Sequence, residues 1–328
     1  MNVIFFNRQP GERFSIEKVT SIISNEIEKK NSVKRYTVPE LRATFRTVLK
    51  NIWFVYKNRD KKSVNHITGD IHYCMLGLIG CKSVLTIHDT VFLTVKQSKI
   101  SYFCKWLLWL YLPCLIANKI VCISQKTKEE LISHHISQKK LCVIYDPVVV
   151  DNIPCNKECH SVVKILHIGT KANKNLKRVI EAIRGLKCHL TIIGNLSEFD
   201  RILLLNNKID YVSMENVADK ILAQLYVQAD IVSFPSTYEG FGMPIIEGQL
   251  AETAVLTSNI PPMTEIGAQS VLYVDPFDTA SIRNGFQKLI NNRQLRQKLV
   301  VAGIENAKRF NPIIIASQYI ELYKSIIL

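Results

Sequence analysis

Two carboxylates, Glu239 and Glu247, stand eight positions apart in Tyr238-Glu239-Gly240-Phe241-Gly242-Met243-Pro244-Ile245-Ile246-Glu247. Between them lie a Gly-Phe-Gly turn and a proline. Glycines let backbone approach a ligand and take positive φ. Pro244 suits the first turn of a helix, where a missing N–H costs nothing. Free N–H groups at such a turn, aligned with the helix dipole, attract an anion. Glu247 is expected in that same first turn, placed to accept hydrogen bonds from a diol. Glu239, across the loop, is placed to bind further hydroxyls. Taken alone, a first-turn glutamate is explained as well by dipole and capping. The whole constellation points instead to a ligand that is both phosphorylated and rich in hydroxyls.

A second cluster is Leu166-His167-Ile168-Gly169-Thr170-Lys171-Ala172-Asn173-Lys174-Asn175-Leu176, a strand end, a glycine, then a polar loop that opens a helix. It is another phosphate-facing pattern, with Lys174 as a point charge for a diphosphate. A lone lysine in such a loop is otherwise a solvated surface group. A third cluster joins His66-Ile67-Thr68-Gly69-Asp70-Ile71-His72-Tyr73 to Leu85-Thr86-Ile87-His88-Asp89. Both segments follow strand-like runs, so both are expected to point into the site. His88 beside Asp89 can bind a hydroxyl or move a proton; the plain alternative is a structural histidine at a strand end.

The elements that must hold these groups alternate through both halves of the 328 residues. Strand candidates are Val3–Phe6, Val33–Val38, Val64–Thr68, Ser83–Ile87, Lys119–Ile123 and Leu141–Ile144. They continue as Val162–Ile168, Leu190–Ile193, Ile209–Val212, Ile231–Phe234, Ala254–Thr257 and Val271–Val274. Helical stretches such as Asn175–Gly185 and Val217–Gln228 lie between them. This alternation predicts an α/β protein with parallel sheets covered on both faces. Two such runs, joined near Pro147 to His160, predict two Rossmann-like domains. Ligands of such sheets bind beyond the C-terminal strand ends, and a cleft between two such domains is the default site.

The charge is uneven. Residues 1–150 hold 23 Lys+Arg against 11 Asp+Glu, whereas residues 151–328 hold 19 against 17. A basic first half suits an anionic partner such as a membrane surface or a phosphorylated acceptor; a solvated basic face is the plain alternative. With no nucleic-acid-binding motif, nucleic acid is not expected. The nine cysteines are irregularly spaced and mostly in apolar surroundings, which reads as reduced thiols in a cytoplasmic protein. Cys155, Cys159 and His160 make a poor tetrahedral metal set, and read as a polar linker. No secretory leader pattern is seen at Met1–Arg8. The longest apolar run, Trp106–Ala117, is broken by Pro113 and falls short of the roughly 20 residues a membrane span needs. It reads as a buried helix, with Trp106, Trp109 and Tyr111 as an interfacial patch in the alternative.

With these residues in place, the chain resembles the retaining glycosyltransferases of family 4, which have the GT-B fold. Glu239–Glu247 is similar to their E-x7-E signature in the form EGFGxPxxE. Gly169–Asn175 resembles the segment that opens their second domain. Thr257–Pro261, Glu265 and Val274-Asp275-Pro276 are similar to the segments that follow, and His66–Tyr73, Thr86–Asp89 and Cys122–Gln125 resemble a bacterial subgroup. The resemblance implies an acceptor-binding domain over residues 1–150 and a nucleotide-sugar-binding domain over 151–310. It also implies a final segment, 311–328, whose helix, about Ile313–Ile327, packs back on the first domain. Glu247 would hold the ribose and Glu239 the donor sugar hydroxyls. Gly169, Thr170, Lys171, Phe241 and Gly242 would line the donor. Lys174 would neutralise the diphosphate and His88 would contact donor sugar or acceptor. No metal and no cofactor is implied beyond the nucleotide diphosphate sugar itself. The acceptor would be a glycan or a lipid-linked glycan, and the setting surface polysaccharide synthesis in the cytoplasm or at the inner face of a membrane.

Four departures from the family pattern stand out. Thr170 replaces an arginine. The N-terminal Gly-Gly loop is reduced to Gly11, with Arg13 and Ser15 shortly after it. Glu252 stands where a helix-ending glycine is expected, and Gly267-Ala268 reverses the usual order. The first two motivate an alternative, a non-catalytic nucleotide-sugar binder in a biosynthetic complex. Retention of Glu239, Glu247, Lys174 and His88 argues against it. A sugar-nucleotide epimerase of the same fold suits EGFGxPxxE poorly.

Overall fold

A computed structural model describes residues 1–10, 15–94, 98–150 and 161–327. Gly11 and Arg13, and the cysteines and histidine at 155, 159 and 160, lie outside the described residues. The chain divides into two compact units, Met1–Pro147 with Phe310–Leu328, and Val148–Arg309.

The first unit is built on β1 (Asn2–Asn7), β2 (Ser32–Thr37), β3 (Val64–Ile67), β4 (Ser83–Ile87), β5 (Lys119–Cys122) and β6 (Leu141–Val143). All pair in parallel in the order β2-β1-β3-β4-β5-β6. β3 and β4 are buried at every position, as strands covered by helices on both faces must be. Their burial is therefore continuous rather than alternating, and in β3 it takes in Asn65 and His66 as well as Val64 and Ile67. The last helix, Pro312–Ile327, belongs to this unit. It packs on the helix Ser15–Glu28 and buries Tyr319 and Tyr323.

The second unit holds β7 (Val163–Ile168), β8 (Cys188–Ile193), β9 (Tyr211–Met214), β10 (Ile231–Phe234), β11 (Ala254–Ser258) and β12 (Leu272–Val274). They too are parallel, in the order β12-β11-β10-β7-β8-β9. The strand order reverses between β7 and β10, and a ligand crevice opens where a doubly wound sheet changes direction. The loops after these two strands carry Gly169–Lys174 and Pro235–Gly242. In the first unit the corresponding reversal lies between β1 and β3.

The apolar run expected as one buried helix is longer and less regular. A helical stretch from Lys99 to Ile116, capped by Ser98, contains a π-helical segment at Trp106–Tyr111. Trp106, Trp109 and Tyr111 are half-buried and pack against the core. Trp109 lies 4.9 Å from the Tyr73 ring, and Trp106 stacks on Tyr111. These rings are committed to the interior and do not form an interfacial patch. Among the described residues no helix is long and apolar enough to cross a membrane, and seven cysteines are free thiols.

Candidate functional site

In the second unit, β7 ends at Ile168 and the chain turns through Gly169 at φ +90°. The absent Cβ matters here. The stem of Lys174 lies over Gly169, and a Cβ on Gly169 would sit 2.9 Å from Lys174 Cγ. So placed, Lys174 Nζ reaches Glu239 Oε1 at 2.6 Å and lies 4.7 Å above the Phe234 ring. Asn173 Nδ2 donates to the Tyr238 carbonyl at 2.9 Å and to Glu239 Oε1 at 3.2 Å. Asn175 takes a left-handed conformation at φ +66° and is buried. Its Nδ2 donates to the carbonyls of Pro235 and Pro276, at 2.9 and 2.7 Å, locking three loops together. Two clusters 65 residues apart in sequence thus meet at the strand reversal, the cation of one against the carboxylate of the other.

Thr170 does not offer its hydroxyl to this site. It donates to the Asn195 carbonyl at 2.6 Å and ties the loop after β7 to the loop after β8. Lys171 stands exposed at the start of the short turn Ala172–Lys174.

The helix Met243–Leu250 begins after Gly242, which caps it at φ +118°. Pro244 has no N–H, and Ile245 already donates to the Gly242 carbonyl at 3.0 Å. The backbone donors at this end are therefore those of the Gly242–Met243 junction, fewer than a free first turn provides. Phe241 is buried beneath them. Glu247 is the fifth helical residue and lies in the second turn rather than the first. The left-handed glycine starts the helix at Met243, one step before the proline. Glu247 Oε2 accepts from Tyr226 at 2.6 Å. Tyr226 is fully buried, and burial together with the nearby carboxylate holds its phenol well above the ordinary value, so it acts as a donor.

Two family departures prove to be positions of backbone strain. Glu252 takes φ +54° where the helix ends, with the Thr253 N–H closing on the Gly248 carbonyl. Ala268 takes φ +45°. Gly267, meanwhile, is needed for space: a Cβ there would meet Val271 Cγ2 at 2.7 Å.

In the first unit the three candidate histidines separate. His66 is bolted inside the fold, Nδ1 on Tyr323 Oη and Nε2 on Thr86 Oγ1, both at 2.7 Å. Burial pushes its pKa down to about 3, so the ring is neutral. His72 is also buried, its pKa lowered chiefly by burial, and Nδ1 donates to the Trp109 carbonyl at 3.0 Å. That carbonyl lies four residues before Pro113, which has no N–H to return to it. His72 therefore repairs a helix, and the expectation that the whole 66–73 segment points into the site is corrected.

His88 is placed differently. It follows β4 with Nδ1 3.6 Å from Asp146 Oδ2, and its buried Nε2 has no hydrogen-bond partner among the described residues. It lines a cavity of about 10 Å³ with Thr68, Thr86, Asp146 and Tyr319, room for about one water. Asp89, its neighbour, accepts from the Val91 N–H at 3.0 Å and caps a short helix instead. Asp70 pairs with Arg8, which Glu17 also holds. Sequence reasoning assigned no role to Tyr226, Asp146, Asn175 or Arg8. Of these only Asn175, a polar residue at a helix start with left-handed tolerance, carried a local signal.

Residues 9–152 match Glycosyltransferase Family 4, and residues 163–308 match Glycosyl transferases group 1. The O-antigen chain mannosyltransferase B of Escherichia coli is 32% identical over 108 residues, 33% of this chain and 28% of that protein. The capsular polysaccharide biosynthesis glycosyltransferase CapM of Staphylococcus aureus is 24% identical over 236 residues, 63% of this chain and 58% of that one. The chain thus spans less than two thirds of the length of these relatives. The crystal structure of Anabaena Alr3699/HepE in complex with UDP and glucose superposes with a TM-score of 0.78 at 14% identity, over 99% of this chain and 100% of that one. At that identity the likeness is one of fold, and the fold is GT-B.

Proposed function

With one unit matching Glycosyltransferase Family 4 and the other Glycosyl transferases group 1, we propose that this chain is a retaining, metal-independent glycosyltransferase. It moves a sugar from a nucleotide diphosphate sugar to a glycan or lipid-linked acceptor in surface polysaccharide synthesis, on the cytoplasmic side of a membrane. The observation that carries this reading is the meeting of Lys174 and Glu239 at 2.6 Å where the second sheet reverses.

The roles follow from chemistry. Cleaving an anomeric C–O bond builds positive charge on the sugar and negative charge on the departing phosphate. Fixed donors at the phosphate stabilise that separation. Lys174 supplies the cation and the Gly242–Met243 junction supplies backbone N–H groups. Glu239 accepts from sugar hydroxyls, and Glu247, oriented by Tyr226, accepts from the ribose. The leaving phosphate takes the acceptor proton on the same face, so retention needs no separate enzyme base. The resemblance assigns His88 to donor sugar or acceptor; its Nε2 is buried against a cavity with room for about one water, so a hydroxyl reaches it only if that cavity opens.

The test is a panel of UDP- and GDP-sugars, followed by saturation-transfer NMR for binding and by slow donor hydrolysis for turnover. Binding with hydrolysis by the parent is expected. Glu247→Ala should weaken nucleotide binding, and Lys174→Ala should lower turnover about 100-fold. Binding without turnover of any donor or acceptor favours the non-catalytic alternative. Absence of all nucleotide-sugar binding, or both variants working at the parent rate, refutes the site.

A further inference from the structure

The helix Phe45–Asn58 is amphipathic twice over. Its inner face, with Val48, Asn51, Ile52 and Val55, packs on the segment His72–Leu78 and on the core of the first unit. Its outer face should be polar and is not. Phe45, Leu49, Trp53 and Tyr56 are 80, 51, 56 and 46% exposed. At spacings of four, four and three they form one stripe along the helix. A second exposed stripe, Arg46, Lys50 and Lys57, runs beside the first. The helix contains no acidic residue. From residue 41 to 62 there are seven Lys and Arg and one acid, Asp60.

The rings and cations are already organised together. Trp53 stacks on Tyr56 at 5.3 Å with 9° between planes. Lys57 Nζ lies 5.2 Å from the Trp53 centroid, and the Arg59 guanidinium lies 4.0 Å from that of Tyr56. Lys50 pairs with Glu40, outside the helix. An apolar stripe flanked by cations, with Trp and Tyr in it, matches a plane with hydrocarbon below and anionic phosphates above. The rings enter the acyl boundary while the basic stems snorkel to the headgroups. A protein partner would need an apolar groove rimmed with acid; the charge of the whole region fits a surface of repeated phosphates.

We propose that the helix Phe45–Asn58 docks this protein on an anionic lipid bilayer, lying in the interface with Phe45, Leu49, Trp53 and Tyr56 inserted. The proposal stands on this surface and is independent of the sugar-transfer reading, which the nucleotide-sugar panel tests separately.

The experiment is co-sedimentation of the full chain with vesicles of phosphatidylcholine alone and of equal parts phosphatidylcholine and phosphatidylglycerol. The parent should pellet with the anionic vesicles, weakly with the neutral ones, and less in high salt. Phe45→Ser with Trp53→Ser, both at exposed positions, should reduce binding at least about tenfold without changing the circular dichroism spectrum. Vesicle addition should shift Trp emission to the blue in the parent and not in Trp53→Phe. Equal pelleting with both vesicle types, or a double variant that binds like the parent, overturns the proposal. So does a parent that ignores vesicles but dimerises through this face, with the double variant monomeric.

Discussion

Replacing Gly169 with alanine sets a methyl group 2.9 Å from Lys174 Cγ, 3.2 Å from Cε and 3.3 Å from Cδ. Two costs arise, and they can be separated. The first is backbone strain: an L-residue held at φ +90° costs about 1–3 kcal/mol. The second is displacement of the lysine stem, because carbon atoms do not approach within 3.0 Å. Moving the stem draws Nζ off Glu239 Oε1, 2.6 Å away, and off the Phe234 ring. The side chains of the pair are 20 and 15% exposed, so solvent screens part of what is lost; overpacking and a weakened ion pair together amount to about 1–2 kcal/mol. Lys174→Ala removes every atom in the clash and leaves the backbone strain in place. A double-mutant cycle over Gly169→Ala and Lys174→Ala, read by urea unfolding of the full chain, should therefore show a coupling of about 1–2 kcal/mol. Additivity within about 0.5 kcal/mol would mean that the stem does not rest on Gly169, and the reasoning fails. Under the proposed function, Gly169→Ala should also lower turnover about as much as Lys174→Ala, because both take the same ammonium from its place.

Three further outcomes are expected. Tyr226→Phe removes the 2.6 Å donor to Glu247; it should destabilise the protein by about 1.5–3 kcal/mol in urea titrations and weaken nucleotide binding in calorimetry, and unchanged values in both would show that Glu247 is positioned otherwise. Glu252→Gly and Ala268→Gly relieve residues held at φ +54° and +45°; each should stabilise by about 0.5–1 kcal/mol, raising the melting temperature of this unit by about 2 °C, and a loss of stability would refute the strain argument. His66 has its pKa pushed down to about 3 and His167 down to about 4, both chiefly by burial. Each binds a proton only in the unfolded chain between these values and the ordinary 6.5, so their contribution is complete above pH 6.5 and falls as pH drops toward 4. Per proton the slope is about 1.4 kcal/mol for each pH unit; equal urea midpoints at pH 7 and pH 5 would count against buried, neutral histidines.

The fold was readable because the central strands of both sheets are buried on both faces. There the strands are nearly continuous apolar runs bounded by polar turns, and Ser83–Ile87 and Ile231–Phe234 stand where the sequence places them. At the site, local patterns identified Lys174 and Glu239 one at a time, but nothing local states that residues 65 apart form an ion pair. Tyr226 gave no signal, since a tyrosine in an amphipathic helix reads as core until its hydroxyl is seen on Glu247. His72 was misread for a similar reason: the carbonyl it serves is orphaned by a proline 41 residues later. An exposed aromatic face is the alternative to a buried helix for Trp106–Ala117 because contiguous hydropathy is conspicuous. The stripe on Phe45–Asn58 is diluted by the basic and core-facing residues between its members, and becomes visible only when exposure separates the two apolar faces of one helix.

The pairing of Lys174 with Glu239 constrains how either can act. A phosphate that arrives at Nζ displaces a carboxylate oxygen already 2.6 Å away. Glu239 would then keep Asn173 Nδ2 at 3.2 Å while losing its cation in a largely sheltered position. An ion left without its partner there is costly, unless new donors reach it as the lysine turns to the phosphate. Sugar hydroxyls are such donors, and a nucleotide diphosphate sugar brings them on the same molecule as the phosphate. On the proposed reading the pair therefore favours the intact donor over a bare nucleotide diphosphate, which would take the lysine and leave the glutamate without compensation. After transfer the sugar has left with its hydroxyls, Lys174 returns to Glu239, and the nucleotide diphosphate loses the cation that held it. On the same reading the ion pair works toward product release as well as donor choice, a role that neither residue has alone.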